Sequence, residues 1–224
     1  MAKNQERADE QLHSVEEALS KSEQFIEENQ KPILIVVAII IAVVLGYFSM
    51  QKFYFEPREQ EAQESIFMAQ KYFEKDSLNL ALNGDGNNLG FLDIIDNLGG
   101  TKAGNLASYY AGISYLKKGE FETALKYLKK FSSDDIMIAP MATSAIGDCH
   151  LEMGKVAKAA DTYYAAAKQA DNKFLTPQFL LKAGNTYELA GDKAKAHSIY
   201  LELKKDFANS SEGRDIDRYI GKTE

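Results

Sequence analysis

Three segments in the C-terminal half of the chain align with one another, and this self-similarity restricts the fold more than any other feature. They are YYAGISYLKKGEFETALKYLKKF (109–131), SAIGDCHLEMGKVAKAADTYYAA (144–166) and LKAGNTYELAGDKAKAHSIYLEL (181–203). Five sets of residues keep common offsets of 35 and 37: Gly112, Gly147 and Gly184; Tyr115, His150 and Tyr187; Gly119, Gly154 and Gly191; Ala124, Ala159 and Ala196; Leu128, Tyr163 and Tyr200. The first glycine and the alanine twelve residues later are small, which lets two antiparallel helices approach closely. The middle glycine accepts the left-handed backbone that ends a helix. The large residues are expected to fill the groove between one hairpin and the next.

This pattern resembles the tetratricopeptide repeat, whose consensus runs small, Tyr, Gly, Ala, aromatic in that order. The usual Trp near the repeat start is replaced by Ser108, Ser144 and Leu180, while Pro140 and Pro177 fall near the repeat junctions. The resemblance implies an all-α fold with three repeats over 105–210 stacked as a solenoid. Scarce Pro and abundant Ala, Leu, Lys and Glu agree with helices. Residues 51–104 read as a linker helix and a degenerate first hairpin. In it, Ala62, Ile66, Ala69, Tyr72 and Phe73 line an amphipathic helix, with Phe91 to Leu98 as its partner. Residues 211–224 read as a capping helix, where Ile216, Tyr219 and Ile220 cover the last exposed face.

A second feature is independent of the repeat. Residues 33–50, ILIVVAIIIAVVLGYFSM, are 18 positions without a charge. As a helix they measure roughly 27 Å, close to the hydrocarbon thickness of a bilayer. Tyr47, Phe48, Phe53, Tyr54 and Phe55 crowd one end, as rings do at a headgroup boundary. The expected element is a retained transmembrane helix contacting lipid, preceded by an acidic tail (1–32) with four Lys/Arg against eight Asp/Glu. Within that tail Leu12, Val15, Leu19, Ser22 and Ile26 form a narrow helical stripe, read either as a partner helix or as a solvated one. Flanking charge does not orient the span. Lys21 and Lys31 on one side balance Lys52 and Arg58 on the other.

Catalysis is not expected. Cys149 is the only cysteine, which rules out an intramolecular disulfide and reads as a small buried apolar residue. His13, His150 and His197 are scattered without metal-ligand spacing. Asn83-Gly84-Asp85-Gly86-Asn87-Asn88 fails the calcium-loop test, with Asn88 and Ile94 where Gly and Glu belong; a flexible hairpin insertion is the expectation. A net charge of −7 argues against nucleic acid as a partner. No cofactor, metal or nucleophile–base pair is expected.

The tetratricopeptide resemblance also implies a binding groove, lined by the first helix of each hairpin at its positions 2, 5, 9 and 12. These are Leu106, Tyr109, Ile113 and Leu116; Met141, Ala145, Asp148 and Leu151; and Gln178, Leu181, Asn185 and Glu188. Relatives that hold the C-terminal carboxylate of chaperone peptides use Lys and Asn at the fifth and ninth places. Asn185 matches, but Leu181 stands where Lys is required, so that activity is not expected. The apolar first-repeat positions suit unfolded, extended or helical client segments; packing of Leu106 and Ile113 against the preceding hairpin is the other reading.

In layout, the tail, the single span and the repeat array resemble the ancillary subunits of the bacterial Sec translocon. LNLALNGDGN and LGFLDIIDNLGGTKAGNLASYYAGISYLKKGEFE are similar to the form those proteins take in the Bacteroidetes. That resemblance implies an inner-membrane protein with its tail in the cytoplasm and its repeats in the periplasm. The implied role is to assist secreted and outer-membrane proteins at the translocon, beside a membrane-bound periplasmic chaperone. A cytoplasm-facing scaffold or assembly factor for another membrane complex is the alternative. Homo-oligomerisation through the span and tail is compatible with both.

Overall fold

The computed structural model describes residue 20 and residues 23–224. The stripe positions Leu12, Val15, Leu19 and Ser22 lie outside the described residues; Ile26 falls in a short helical stretch, 23–28, and is exposed. The chain divides into two compact units, Met1–Pro57 and Arg58–Glu224.

The first unit holds α1 (Gln30–Met50), followed by a π-helical turn, Gln51–Phe55. Pro32 is tolerated because the N–H it lacks is among the first four of the helix, which have no intrahelical acceptor. None of the α1 residues is buried, and Leu34, Ile35, Ile40, Val43 and Leu45 all face outward.

The second unit, from Arg58 on, is helical throughout its regular structure: α2 (Glu56–Glu74), α3 (Leu78–Asn83), α4 (Phe91–Leu98), α5 (Lys102–Lys117), α6 (Phe121–Lys130), α7 (Ile138–Glu152), α8 (Val156–Ala170), α9 (Leu175–Leu189), α10 (Lys193–Phe207) and α11 (Asp217–Thr223). Helices α5–α6, α7–α8 and α9–α10 are the three hairpins of the repeat.

Each hairpin turns on its middle glycine. Gly119, Gly154 and Gly191 have φ of 78°, 72° and 82°. Each donates to a carbonyl three residues back (Leu116, Leu151, Glu188), and the next residue donates to one five back (Tyr115, His150, Tyr187), at 2.8–3.0 Å. Two otherwise orphaned carbonyls are thereby satisfied at every turn.

The first glycine of each repeat marks the tightest seam. A Cβ on Gly112 would lie 2.6 Å from Leu128 Cγ, and one on Gly147 would lie 2.5 Å from Tyr163 Cε1. On Gly184 it would fall on the ring of Tyr200. These contacts correct the expectation for the large residues. Leu128, Tyr163 and Tyr200 lie over the glycine of their own hairpin, sixteen residues earlier, and are not confined to the groove between hairpins. The reason is geometric: a glycine leaves a notch on the first helix, and the facing helix fills it with the side chain directly opposite.

The degenerate N-terminal part shares one core. Ala62, Ile66 and Ala69 of α2 are buried with Phe91, Ile94, Ile95 and Leu98 of α4 and Ala103, Ala107 and Ala111 of α5. Glu59 accepts from the backbone N–H groups of Lys102 (2.7 Å) and Ala103 (3.2 Å), placing a carboxylate at the start of α5. The insertion read as flexible contains α3 and a pinned loop. Asp85 accepts from the N–H of Asn87 (2.9 Å) and Asn88 (2.7 Å) and from the Tyr72 hydroxyl (2.6 Å). These donors hold its carboxyl well below the usual range. At the other end Ile216 and Ile220 are buried in the core that holds Tyr200 and Leu203, and Tyr219 lies 5.5 Å from the Tyr200 ring centre.

One core position departs from its copies. Tyr115 stacks on Tyr127 at 5.5 Å, and the Tyr187 hydroxyl donates to Asp161. His150, at the same place in the second hairpin, is 2% exposed, and its Nδ1 has no hydrogen-bond partner among the described residues. Burial holds its pKa below the ordinary 6.5, and the charges of Lys158, Lys129 and Lys155 lower it further. The unfolded chain therefore takes up a proton more readily than the folded one. The stability contributed by neutral His150 is complete above pH 6.5 and is lost as pH falls below it. Exchange for an aromatic that does not titrate, His150→Phe, is expected to flatten the decline in melting temperature between pH 7 and 5. An unchanged decline would assign the acid sensitivity to other groups.

Candidate functional site

The inner helices α5, α7 and α9 carry the twelve residues named for the groove, and the structure gives them different employments. On α5, Leu106 is half-buried against the N-terminal core, while Tyr109, Ile113 and Leu116 pack on Ala124, Leu128, Ala145 and Cys149. These four therefore spend much of their surface joining neighbouring hairpins. On α7, Met141 is exposed, Ala145 is buried, and Leu151 packs on the last core. On α9, Gln178 and Asn185 are exposed, and Leu181 packs on the last core.

Asp148 and its partners are the most connected polar group on the inner helices. The Tyr163 hydroxyl of α8 donates to Asp148 Oδ1 at 2.7 Å. The Lys182 ammonium of α9 pairs with the same oxygen and lies 4.5 Å from the centre of the Tyr163 ring. Three helices from two hairpins thus meet at one carboxylate. The pattern recurs in the third hairpin, where the Tyr200 hydroxyl donates to Asn185 Oδ1 at 2.9 Å and lies 3.2 Å from Glu188 Oε2. Burial, with Asp148 beside Tyr163 and Glu188 beside Tyr200, pushes the pKa of both tyrosines up, so both remain neutral donors.

The register reading omitted Lys182 and the two tyrosine hydroxyls. One signal was available. Repeats two and three have Tyr where repeat one has Leu128, and a buried phenol requires an acceptor. Lys182 lay beyond that signal because it answers to a residue of the preceding hairpin.

The arrangement suits binding better than bond-making. Cys149 is fully buried, and burial, with Asp148 beside it, pushes its thiol up to about 11, so it is not a thiolate. Among the described residues no group of three His, Cys, Asp or Glu side chains is arranged to hold a metal.

Known proteins match the repeat unit. Residues 106–134 and 178–210 match the family described as tetratricopeptide repeat. These stretches cover most of the α5–α6 and α9–α10 hairpins, and the glycine-capped α7–α8 hairpin stands between them. Over 96 residues, 43% of the chain, it is 34% identical to a TPR repeat-containing protein of Methanocaldococcus jannaschii. The chain spans 16% of that relative's length. No solved structure matches it. Over these two stretches the helical hairpins have the architecture of tetratricopeptide repeats, a class of unit that binds other proteins. The described residues are helical throughout their regular structure, match the tetratricopeptide repeat over 106–134 and 178–210, and include one long apolar helix near the N-terminus.

Proposed function

We propose that this protein is a membrane-anchored adaptor in which α1 spans a bilayer and the repeat unit holds partner proteins. The observation that carries this reading is α1 itself. Its apolar side chains are solvent-facing on every side, with none buried, which suits hydrocarbon and suits no soluble core. The repeat unit supplies an inner surface of mixed character, with the exposed Met141, Gln178 and Asn185 and the Asp148–Lys182 pair. Within this reading, the layout and the Bacteroidetes-like phrases favour an ancillary subunit of the Sec translocon. The repeats then face the periplasm, where they assist secreted and outer-membrane proteins beside a membrane-bound chaperone. The cytoplasm-facing scaffold is kept as the second reading because Lys21 and Lys31 balance Lys52 and Arg58 across the span.

Paired reporter fusions after Glu224 test the orientation. A reporter active only outside the cytoplasm is expected to work, and one active only in the cytoplasm is expected to fail. The reverse result would replace the translocon reading with the scaffold. Recovery of the full chain in an alkali-washed soluble fraction would remove the anchor.

A further inference from the structure

Two loops of the repeat unit leave large apolar side chains in solvent, away from the inner-helix positions discussed above. Ile136 is 66% exposed and Phe174 65%. Both belong to helix starts built in the same way. Asp135 Oδ1 accepts from the N–H groups of Met137 (2.8 Å) and Ile138 (2.9 Å) at the start of α7. At the start of α9, Asn172 Oδ1 accepts from those of Phe174 (3.0 Å) and Leu175 (2.8 Å). The Asn172 amide also donates to the Ile136 carbonyl at 3.4 Å, tying the two loops together. Met137, which caps α7, and Met141 in its first turn are exposed as well. Ile136, Met137, Met141 and Phe174 are therefore exposed apolar side chains carried by two loops tied to each other and by the first turn of the inner helix.

The two loops that carry these side chains are acidic on balance, with three Asp against one Lys. Asp134, Asp135 and Asp171 are exposed, and none has an ion pair among the described residues. Lys173 is the only cation in these two loops. The backbone donors from Ile138 and Met137 hold the Asp135 carboxyl below the usual range, which keeps it charged. Asp171 sits at φ 42°, a left-handed conformation that few residues other than glycine adopt.

We propose that these loops and the first turn of α7 dock an apolar segment of a partner protein whose flanks carry Lys or Arg. The apolar side chains supply area, the unpaired carboxylates select the sign of the flanks, and the two flexible Met side chains admit varied apolar sequences. An anionic lipid surface is disfavoured by the same carboxylates. The inference rests on the protein-binding part of the proposed function and is independent of the anchor and its orientation.

The test uses the full chain in detergent and labelled, unstructured Leu/Ser peptides flanked by Lys or by Glu, read by fluorescence anisotropy. The Lys-flanked peptide is expected to bind more tightly than the Glu-flanked one. The double variant Ile136→Ser/Phe174→Ser should weaken binding about tenfold or more, while Phe174→Leu should retain it. Asp134→Asn/Asp171→Asn should weaken it roughly threefold and reduce its salt dependence, since Asn tolerates the left-handed backbone. Circular dichroism melting confirms folding, and these exposed positions are not part of the core. Equal binding of the Glu-flanked peptide, or full affinity in the serine variant, would overturn the proposal. So would a change of oligomeric state in that variant with no change in peptide affinity. Peptide crosslinking at Tyr109 and Asn185, and not at position 174, would also overturn it while leaving the adaptor reading in place.

Discussion

Replacing Tyr163 with alanine is expected to destabilise the repeat unit by about 3–5 kcal/mol, the range for removing a buried aromatic ring. The ring is fully buried and closes over Gly147, so its loss opens a void where two helices are closest. The loss extends beyond packing. Its hydroxyl donates to Asp148, and the Lys182 ammonium rests over its face. Tyr163→Phe isolates the polar share, expected at roughly 0.5–1.5 kcal/mol, because it keeps the ring and removes one hydrogen bond. Urea denaturation of the full chain, followed by circular dichroism, gives both values. A loss under about 1 kcal/mol for Tyr163→Ala would mean that neighbouring side chains collapse into the space. The ring would then not be what sets the spacing of α7 and α8.

The parts of the fold legible in the sequence are those fixed by short-range geometry and repeated three times. A glycine at φ near 80° ends each first helix whatever packs around it, so Gly119, Gly154 and Gly191 announce their role by position alone. The small-residue rows are legible for a similar reason, since their spacing follows the helical period. Knowing which side chain fills the notch requires the angle at which the two helices cross. Spacing alone therefore sends Tyr163 and Tyr200 to the groove between hairpins, whereas they lie over Gly147 and Gly184. The inner surface was legible as a register and not as chemistry. Asp148 meets Lys182 from 34 residues away, and no local spacing encodes that meeting. The loop at 84–90 reads as glycine-rich and loose, yet Tyr72 anchors it from α2 through a single phenol–carboxylate bond. The exposure of Ile136 and Phe174 was hidden for the opposite reason. Apolar letters beside a helix start look like core until the capping geometry turns them outward.

Alanine at Gly184 is expected to reverse the usual sign of a glycine-to-alanine change. In an open helix interior that exchange stabilises by about 0.8–1 kcal/mol, because alanine restricts the unfolded backbone. Gly184 lies within α9 and has no positive φ to protect, so the backbone alone predicts a gain. The added Cβ falls on carbons of the Tyr200 ring, which is fully buried and fixed by Asn185 through its hydroxyl. The ring has no room to yield, and overpacking of this kind costs roughly 1–3 kcal/mol. A net loss is therefore expected. The pairing can be separated from general damage by a double-mutant cycle. In a Tyr200→Ala background the obstruction is gone, and Gly184→Ala should then raise stability toward the open-helix value. Strictly additive effects of the two substitutions would show that Gly184 is small for some reason other than the ring sixteen residues ahead of it.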